Sequence, residues 1–511
     1  MLCGNKTYLE YVFWGRESPK KMLELASSPA LKALAINSND GGTFGALGAI
    51  SYYKYERETA LLYLKKAIEN ETKYKIELKN KKIIVLGLGV SGLSTMRFFA
   101  RKNIAFSVVD SRDLPPNADI ATQLATDTHF GALNDTLFKN VDLIVISPGI
   151  ALFNMYIQDA ITRGVEVIGD VELFARINTK AVYAVTGSNG KSSVVTLTRD
   201  VLKQAGYKVA LAGNIGTPVL DVIDQDYDCY VLELSSFQLE TTHSLVCEAS
   251  CVLNISEDHM DRYDSLGDYA YAKQRIHLHS KHVVVNFDDA LTHCEQTPGV
   301  SFGAQQGDYT ISQQYFNVHG KQMLSTDELK VIGLHNQLNA LAVMALLENL
   351  KLPVDVFKTA FNQFSGLAHR CQLVCEDNGV LYVNDSKATN VGAALAAIQG
   401  LGPNSDLVLL AGGLSKGQDF SALVPAINRH VREVVVFGEA AGELAALPLL
   451  RPAIQVENLL QAVSRAAEIA QPGDTVLLSP ACASMDQFKN YQDRGDQFVY
   501  FVSSLPGGAH E

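Results

Sequence analysis

Residues 184–198 read AVTGSNGKSSVVTLT. A β-branched run ends at Thr186, a tight turn is bracketed by Gly187 and Gly190, and Lys191-Ser192-Ser193 opens a segment with helical patterning. Such a turn suits a nucleoside triphosphate. Backbone N–H groups at a helix N-terminus cradle phosphate oxygens, an ammonium reaches the outer phosphates, and a hydroxyl can bind Mg²⁺. The spacing departs from the standard G-x4-G-K-S loop, because Val185 stands where its first glycine would be. The electrostatic logic is unchanged, so Gly187, Ser188, Asn189, Gly190, Lys191, Ser192 and Ser193 form the candidate phosphate loop.

Three companions follow. Glu233 closes the β-like start of VLELSSFQLE, Asn214 lies on the glycine-rich turn GNIGTP, and His259 follows another β-like run in NISEDHMDRY. Ligand sites of α/β sheets lie beyond the carboxyl ends of the strands, where a carboxylate and a histidine can complete a magnesium site beside a triphosphate. A second glycine motif, GLGVSGLS (87–94), also follows a β-like run, and Asp110 stands 21 residues after Gly89, where a ribose-binding acid belongs. That motif requires only a close approach of backbone to a diphosphate. NAD and a UDP-sugar satisfy it equally.

The elements that must hold these residues are legible as short apolar runs separated by helical patterns. They are residues 82–87, 106–110, 142–147, 181–187, 229–235, 251–256, 282–287, 381–386, 406–413, 433–438 and 474–480. Runs apolar on both faces, alternating with helices, predict parallel α/β sheets. Eleven are too many for one compact sheet, so three α/β domains are expected. The breaks at ARINTK and FSGLAHR divide them as 76–177, 178–372 and 373–511, which suits a 511-residue chain. Residues 1–75 do not share the alternation and are expected to form a small helical extension of unassigned role. Within it, LGAISYYKYERETALLYLKKAIEN resembles a single tetratricopeptide-type helical pair, too few for a stack.

The formal net charge of −12 argues against sequence-independent nucleic-acid binding, which needs basic surface. It also requires local cations to capture an anionic nucleotide against the global field. The longest apolar runs fall short of the roughly 18 residues of a membrane span. The first residues, MLCGNKTYLEYVFWGRESPKK, lack a signal-peptide core, so a cytoplasmic protein is expected. The CxxxC pairs Cys247/Cys251 and Cys371/Cys375 read as small hydrophobic residues, and HLHSKH as the polar entry to a strand.

The segments TGSNGKSS, GNIG, ELSSFQLE, EDHMDRY, HNQLNA, NDSKATN and LSPACASMDQFKNYQDRG, taken in order, resemble the Mur ligase family, ATP-dependent amide-forming enzymes of peptidoglycan precursor synthesis. ELSSFQLET, NDSKATN and SPACASMDQFKN resemble its D-glutamate-adding members, and the likeness runs from about residue 78 to 503. The resemblance implies a Rossmann-like UDP-binding domain, a central P-loop-type ATPase domain and a C-terminal Rossmann-like domain. It also implies ATP and Mg²⁺, with UDP-N-acetylmuramoyl-L-alanine and D-glutamate joined through an acyl phosphate by a monomer. This displaces the dehydrogenase reading; a ligase adding another amino acid, or glutamate to folate, is the alternative within the superfamily.

Carried onto matching positions, the family's uridine cradle falls on Ser91, Asp110, Ser111, Arg112 and Gly149. The muramoyl contacts fall on Asn214, Gln238 and His259, and the metal ligands on Ser192, Glu233, His259 and Lys273. The lysine matching Lys273 is carbamylated in the family, and Lys191, Glu233, His259 and Lys273 form the implied catalytic set. Adenine, phosphate and ribose fall to Asn336, Asn339, Arg370 and Asp385. D-Glutamate falls to Lys387, Thr389, Lys416, Ser484 and Tyr491. Two departures are mild: Ser193 where threonine is more usual, and Tyr491 where phenylalanine is frequent.

Overall fold

The computed structural model describes residues 78–260, 262–293, 299–331, 333–404 and 406–505. Among them, three sheets carry three α/β units. The first unit has five parallel strands in the order β3-β2-β1-β4-β5. They are β1 (Ile83–Leu86), β2 (Ser107–Asp110), β3 (Asp127–Phe130), β4 (Leu143–Ile146) and β5 (Glu166–Ile168). β1 shows why its run is apolar throughout. Ile83 and Val85 enter one core while Ile84 and Leu86 enter another on the opposite face, as the two-residue pleat requires.

The central sheet has nine strands in the order β14-β13-β12-β11-β10-β9-β6-β8-β7. These are β6 (Ala181–Thr186), β7 (Val209–Gly213), β8 (Cys229–Glu233), β9 (Ala249–Val252), β10 (Val283–Asn286), β11 (Val300–Phe302), β12 (Tyr309–Ser312), β13 (Tyr315–Val318) and β14 (Lys321–Ser325). β6 to β11 pair in parallel, and β12 to β14 form an antiparallel margin. The third sheet runs β15-β16-β20-β17-β18-β19. Its strands are β15 (Gln372–Asp377), β16 (Val380–Asn384), β17 (Leu407–Gly412), β18 (Val431–Phe437), β19 (Ile454–Gln455) and β20 (Thr475–Leu478). β15 is antiparallel to β16, the rest are parallel, and Gln372 already pairs with Asn384 in this sheet.

All eleven apolar runs are strands. The run expected over 251–256 lies earlier, at Ala249–Val252, because Asn254 is drawn away to brace the phosphate loop. The strands without a sequence signal are short, polar or marginal, such as β3 with sequence DTHF and the three-residue β5. The Rossmann-like, ATPase-like and C-terminal units expected from the sequence are present. The proposed helical extension lies outside the described residues.

The first two units are welded together. A single apolar core takes Phe98, Phe99 and Phe174 from the first and Leu220, Tyr230 and Leu239 from the second. The Phe174 and Tyr230 rings meet edge-on with centroids 5.0 Å apart. Beside this core the buried Glu172 carboxylate accepts the backbone N–H groups of His243 and Ser244 at 2.7 and 2.9 Å. Burial pushes that carboxyl up, but these bonds and the Arg176 guanidinium hold its pKa below the ordinary value. The two cores of the third unit draw only on residues from Cys371 onward.

Candidate active site

β6 ends at Thr186, and the chain turns through Gly187 (φ +147°) and Gly190 (φ +83°) into the helix Lys191–Gln204. A Cβ at Gly190 would stand 2.6 Å from the Asn339 side-chain oxygen, so glycine is what lets the loop lie against the helix Leu334–Leu346. Asn254, two residues past β9, accepts the Asn189 N–H at 2.8 Å and donates to the Asn189 carbonyl at 3.1 Å. The Ser188 hydroxyl accepts the Ser256 N–H at 2.9 Å. The loop is thereby fixed without using the amides at the head of the helix.

Beside it, four side chains form one hydrogen-bonded line. Asn214 donates to one Glu233 carboxylate oxygen at 2.7 Å, Ser192 donates to the other at 2.6 Å, and Arg370 donates to the Ser192 hydroxyl at 2.7 Å. Lys191 donates to the carbonyls of Gly187 and Ser188 at 2.7 and 2.8 Å. Burial lowers its pKa, and the Glu233 charge partly opposes that. Lys273 is 2% exposed, and its amine lies 4.5 Å from the Tyr269 ring centroid. Burial first, then the Lys191 charge, hold it well below the ordinary amine value.

These groups open into a cavity of about 710 Å³ bounded by all three units. Pro148 and Gly149 come from the first; Ser188 to Lys191, Ser193, Asn214, Glu233, His259, Lys273, Asn336 and Asn339 from the second. Arg370, Asp385, Lys387, Thr389 and Lys416 close the remaining side. Lys191, Arg370, Lys387 and Lys416 face it against the acids Glu233, Asp258 and Asp385, so cations are gathered here within an acidic chain. Lys387 is held at about 8, first by burial and then by Arg370 and Lys191, with its amine 3.9 Å from the Tyr491 ring centroid. Asp385 is pushed up to about 7 by burial, against hydrogen bonds from Ser479 and the Cys371 backbone. His259 and Lys416 both sit at positive φ, 58° and 54°, a constraint that a rigid scaffold must impose.

The remaining expected residues lie outside this lining. Asp110 is buried at the end of β2. Its carboxylate accepts the Leu88 N–H at 2.7 Å, and the Arg112 Nε and Nη2 at 2.8 and 2.6 Å. Burial pushes the Asp110 carboxyl up, yet those bonds outweigh it and the pKa falls below the ordinary value. It therefore shapes the GLG turn, and Arg112 and Ser111 are the exposed groups there. Ser91 hydrogen-bonds the buried Asp170 carboxyl, which burial raises above its usual range. Gln238 is turned inward: its side chain accepts the Ser235 N–H at 3.0 Å and closes a capping box on the helix Ser236–Glu240. Its neighbours Ser236 and Phe237 face the cavity instead. Ser484 is buried, and Tyr491 lies beneath Lys387.

Sequence reading missed Asn254, Asn390 and Arg262. Asn390 exchanges 3.4 Å amide contacts with Asn189 while capping the helix Val391–Leu401, which joins the third unit to the phosphate loop. Arg262 stacks 4.1 Å over the Phe237 ring centroid and donates to the Pro148 carbonyl at 2.9 Å, tying the His259 segment to the turn at Gly149. Both stand inside segments already singled out, but a side chain that reaches across a domain border has no periodicity to reveal it.

Glu233 and Ser192 are the pair that can hold a divalent cation. Among the described residues no group of three His, Cys, Asp or Glu side chains converges as a metal site. Magnesium bound to a nucleotide needs only one or two carboxylates, because phosphates and water fill the other positions. A Glu233 carboxylate already hydrogen-bonded to the hydroxyl at the head of the phosphate-loop helix supplies the protein share.

Comparison with known proteins agrees along the chain. Residues 81–169 match the Mur ligase MurD-like N-terminal domain, 185–347 the Mur ligase middle domain, and 369–482 the Mur ligase glutamate ligase domain. A UDP-N-acetylmuramoylalanine–D-glutamate ligase of Pseudoalteromonas translucida is 50% identical over 442 residues, covering 84% of this chain and 99% of the relative. The corresponding ligase of Pseudomonas syringae pv. syringae is 46% identical over 443 residues, covering 83% and 98%. Among solved structures, MurF ligase from Thermotoga maritima in complex with ADP shares the fold with a TM-score of 0.55 at 17% identity, over 84% of this chain and 95% of that one. UDP-N-acetylmuramate–alanine ligase MurC of the same organism does so with a TM-score of 0.53 at 21% identity, over 83% and 100%. The chain belongs to the Mur ligase family, in the branch of the UDP-N-acetylmuramoylalanine–D-glutamate ligases.

Proposed function

We propose that this chain uses ATP to join D-glutamate to UDP-N-acetylmuramoyl-L-alanine. One observation carries the reading: a phosphate loop, the Asn214–Glu233–Ser192–Arg370 line and a set of lysines from the third unit face a single cavity. The alanyl carboxylate oxygen attacks the γ-phosphorus of ATP, ADP departs, and an acyl phosphate remains. The neutral amine of D-glutamate then attacks the acyl carbon; the tetrahedral intermediate collapses to the amide as the nitrogen's surplus proton passes to solvent and phosphate leaves with the C–O electron pair. Phosphorylation converts a poor leaving oxygen into a good one, and Lys191, Arg370 and Lys387 offset the charge gathered there.

In this reading Gly187 to Ser193 hold the phosphates, Asn336 and Asn339 the adenine, and Arg370 and Asp385 the phosphate and ribose. Ser91, Asp110, Ser111, Arg112 and Gly149 shape the uridine-nucleotide site, with Asp110 acting through Arg112 and the Leu88 amide. Asn214, Gln238 and His259 belong to the muramoyl side, Gln238 through the helix it caps. Lys387, Thr389, Lys416, Ser484 and Tyr491 make the amino-acid site. Ser192, Glu233, His259 and a carbamate on Lys273 hold Mg²⁺, whose charge when bound stabilises the phosphoryl oxygens. The domains run 76–177, 178–372 and 373–511, and the enzyme works as a cytoplasmic monomer. Among the described residues no helix is long and apolar enough to cross a membrane.

Phosphate release with ATP and UDP-N-acetylmuramoyl-L-alanine, compared across D-Glu, L-Glu, L-Ala and meso-diaminopimelate, tests the reading. Turnover with D-Glu alone supports it. Turnover with a different amino acid moves the chain to another ligase specificity, and absence of phosphate release with all four overturns the reaction.

A further inference from the structure

The largest fully buried side chain among the described residues is an arginine, Arg494, on the helix Tyr491–Ser503 of the third unit. No carboxylate meets it. Its Nε donates to the Ser386 hydroxyl at 3.0 Å and its Nη2 to the Ser386 carbonyl at 2.8 Å. Nη1 is shared between the carbonyls of Cys482 at 3.1 Å and Gly412 at 3.4 Å. Taking a guanidinium out of water is costly even after relaxation, and neutral acceptors recover only part of that. A plain staple for a core would be better made from apolar side chains.

The acceptors explain where the cost is directed. Ser386 ends the turn after β16 and immediately precedes Lys387. Gly412 ends β17 and starts the turn that carries Lys416. Cys482 lies past β20, two residues before Ser484. These are three separate strand ends, and each leads into a residue of the amino-acid site. Two of the turns are also joined by Leu414 and Ala483, which exchange backbone hydrogen bonds at 2.9 and 3.0 Å. The Ser386 hydroxyl donates onward to the Tyr491 carbonyl at 2.8 Å, closing the arginine's own helix onto the first turn. A Cβ at Gly413, at φ +128°, would come within 3.2 Å of Arg494 Nη1 and 2.2 Å of the Ala483 carbonyl. The guanidinium and the two turns are thus packed to contact.

We propose that Arg494 is a positioning residue for the amino-acid site: one planar guanidinium fixes the spacing of the turns bearing Lys387, Lys416 and Ser484. The proposal rests on the assignment of those residues to D-glutamate. A planar fork with donors in fixed directions can hold three turns at once, whereas an ammonium on a flexible stem cannot hold the same geometry. Loosening the turns misplaces cations that must meet two carboxylates of the amino acid, while the phosphate loop and the uridine turn, braced in the other units, keep their shape.

The test measures KM for D-glutamate, ATP and UDP-N-acetylmuramoyl-L-alanine, together with kcat and thermal melting, in R494K, S386A and K416A. Expected are a rise of about 10-fold or more in KM for D-glutamate in R494K and a smaller rise in S386A, with the other two KM values within about twofold. A purely structural role predicts a lower melting temperature and reduced kcat with KM for D-glutamate unchanged, and that result overturns the proposal. S386A decides the matter in the same way if R494K does not fold. K416A separates the two levels. If K416A raises KM for D-glutamate while R494K and S386A do not, the site stands and the positioning role falls. If K416A also leaves it unchanged, the assignment of the amino-acid site falls.

Discussion

Two glycine turns of similar design stand at the heads of neighbouring sheets. At Gly87–Gly89 the polar groups are spent within the protein: Asp110 takes the Leu88 amide, and Arg112 takes Asp110. At Gly187–Gly190 the loop is braced from behind by Asn254, and its lysine and serines face a cavity shared with two other units. The sequence motif looks alike in both. The difference lies in which neighbours occupy the hydrogen-bonding capacity, and it separates a turn that shapes a binding surface from one that meets reacting phosphates.

The sharpest break of that contrast is Lys191→Ala. It should lower kcat/KM by about 100-fold or more, the scale of losing one fixed transition-state charge, with only a small fall in melting temperature from the two loop carbonyls that lose their donor. Near-normal turnover at saturating ATP would remove the phosphate loop from the chemistry. Lys273→Ala comes next. If this buried amine carries a carbamate, the variant loses on the order of 100-fold, and acetate restores part of the rate by replacing the missing oxygens. Full activity, or no rescue of an inactive variant, ends that role.

On the other turn, Arg112→Ala should raise KM for the UDP substrate about 10-fold, the scale of one charge-assisted hydrogen bond, and leave KM for ATP alone. An equal effect on both would erase the distinction between the turns. The uridine turn and the amino-acid site should also fail at opposite ends of the pH scale. Asp110 is depressed in the folded protein, so its contribution to stability is complete above the unfolded value of about 3.9 and is lost as pH falls through the lower folded value. Lys387, held near 8, loses its charge as pH rises through that value, so kcat/KM for D-glutamate should decline there. Lys387→Arg, which stays charged, should remove the alkaline limb; an unchanged profile would assign it to another group. The smallest effect is expected from deleting residues 1–74. Every assigned site residue lies at or beyond Ser91, and turnover should be unchanged. A folded truncation without activity would make that segment part of the enzyme.

The sequence was most legible where one residue's chemistry serves a local motif. Lys191, Ser192, Glu233 and Asn214 meet as their spacing implied, because each ends a strand or heads a helix of a parallel sheet. The β12–β14 margin went unseen because half-exposed strands such as KQMLS lack a continuous apolar run. Gln238 could not be placed from the sequence for a related reason. A glutamine three residues after Ser235 serves a capping box as readily as a substrate, and only the fold chooses. Asn254 and Arg494 were silent because most of their partners are backbone carbonyls and amides, which every residue possesses, and Arg262 because its partners, the Pro148 carbonyl and the Glu240 carboxylate, are distant in sequence.

The core shared by the first and second units, set against the self-contained cores of the third, also has a thermodynamic consequence. Cooperativity follows apolar contact, so the chain is built to lose structure in two steps, the fused pair as one and the third unit as another. Substrates that fill the cavity touch both bodies and couple them. A calorimetric scan should then resolve two transitions in the free protein, and saturating ligands should draw them toward one. A separate melting of the third unit and a freedom of that unit to approach an acyl phosphate would be the same property, measured on different timescales.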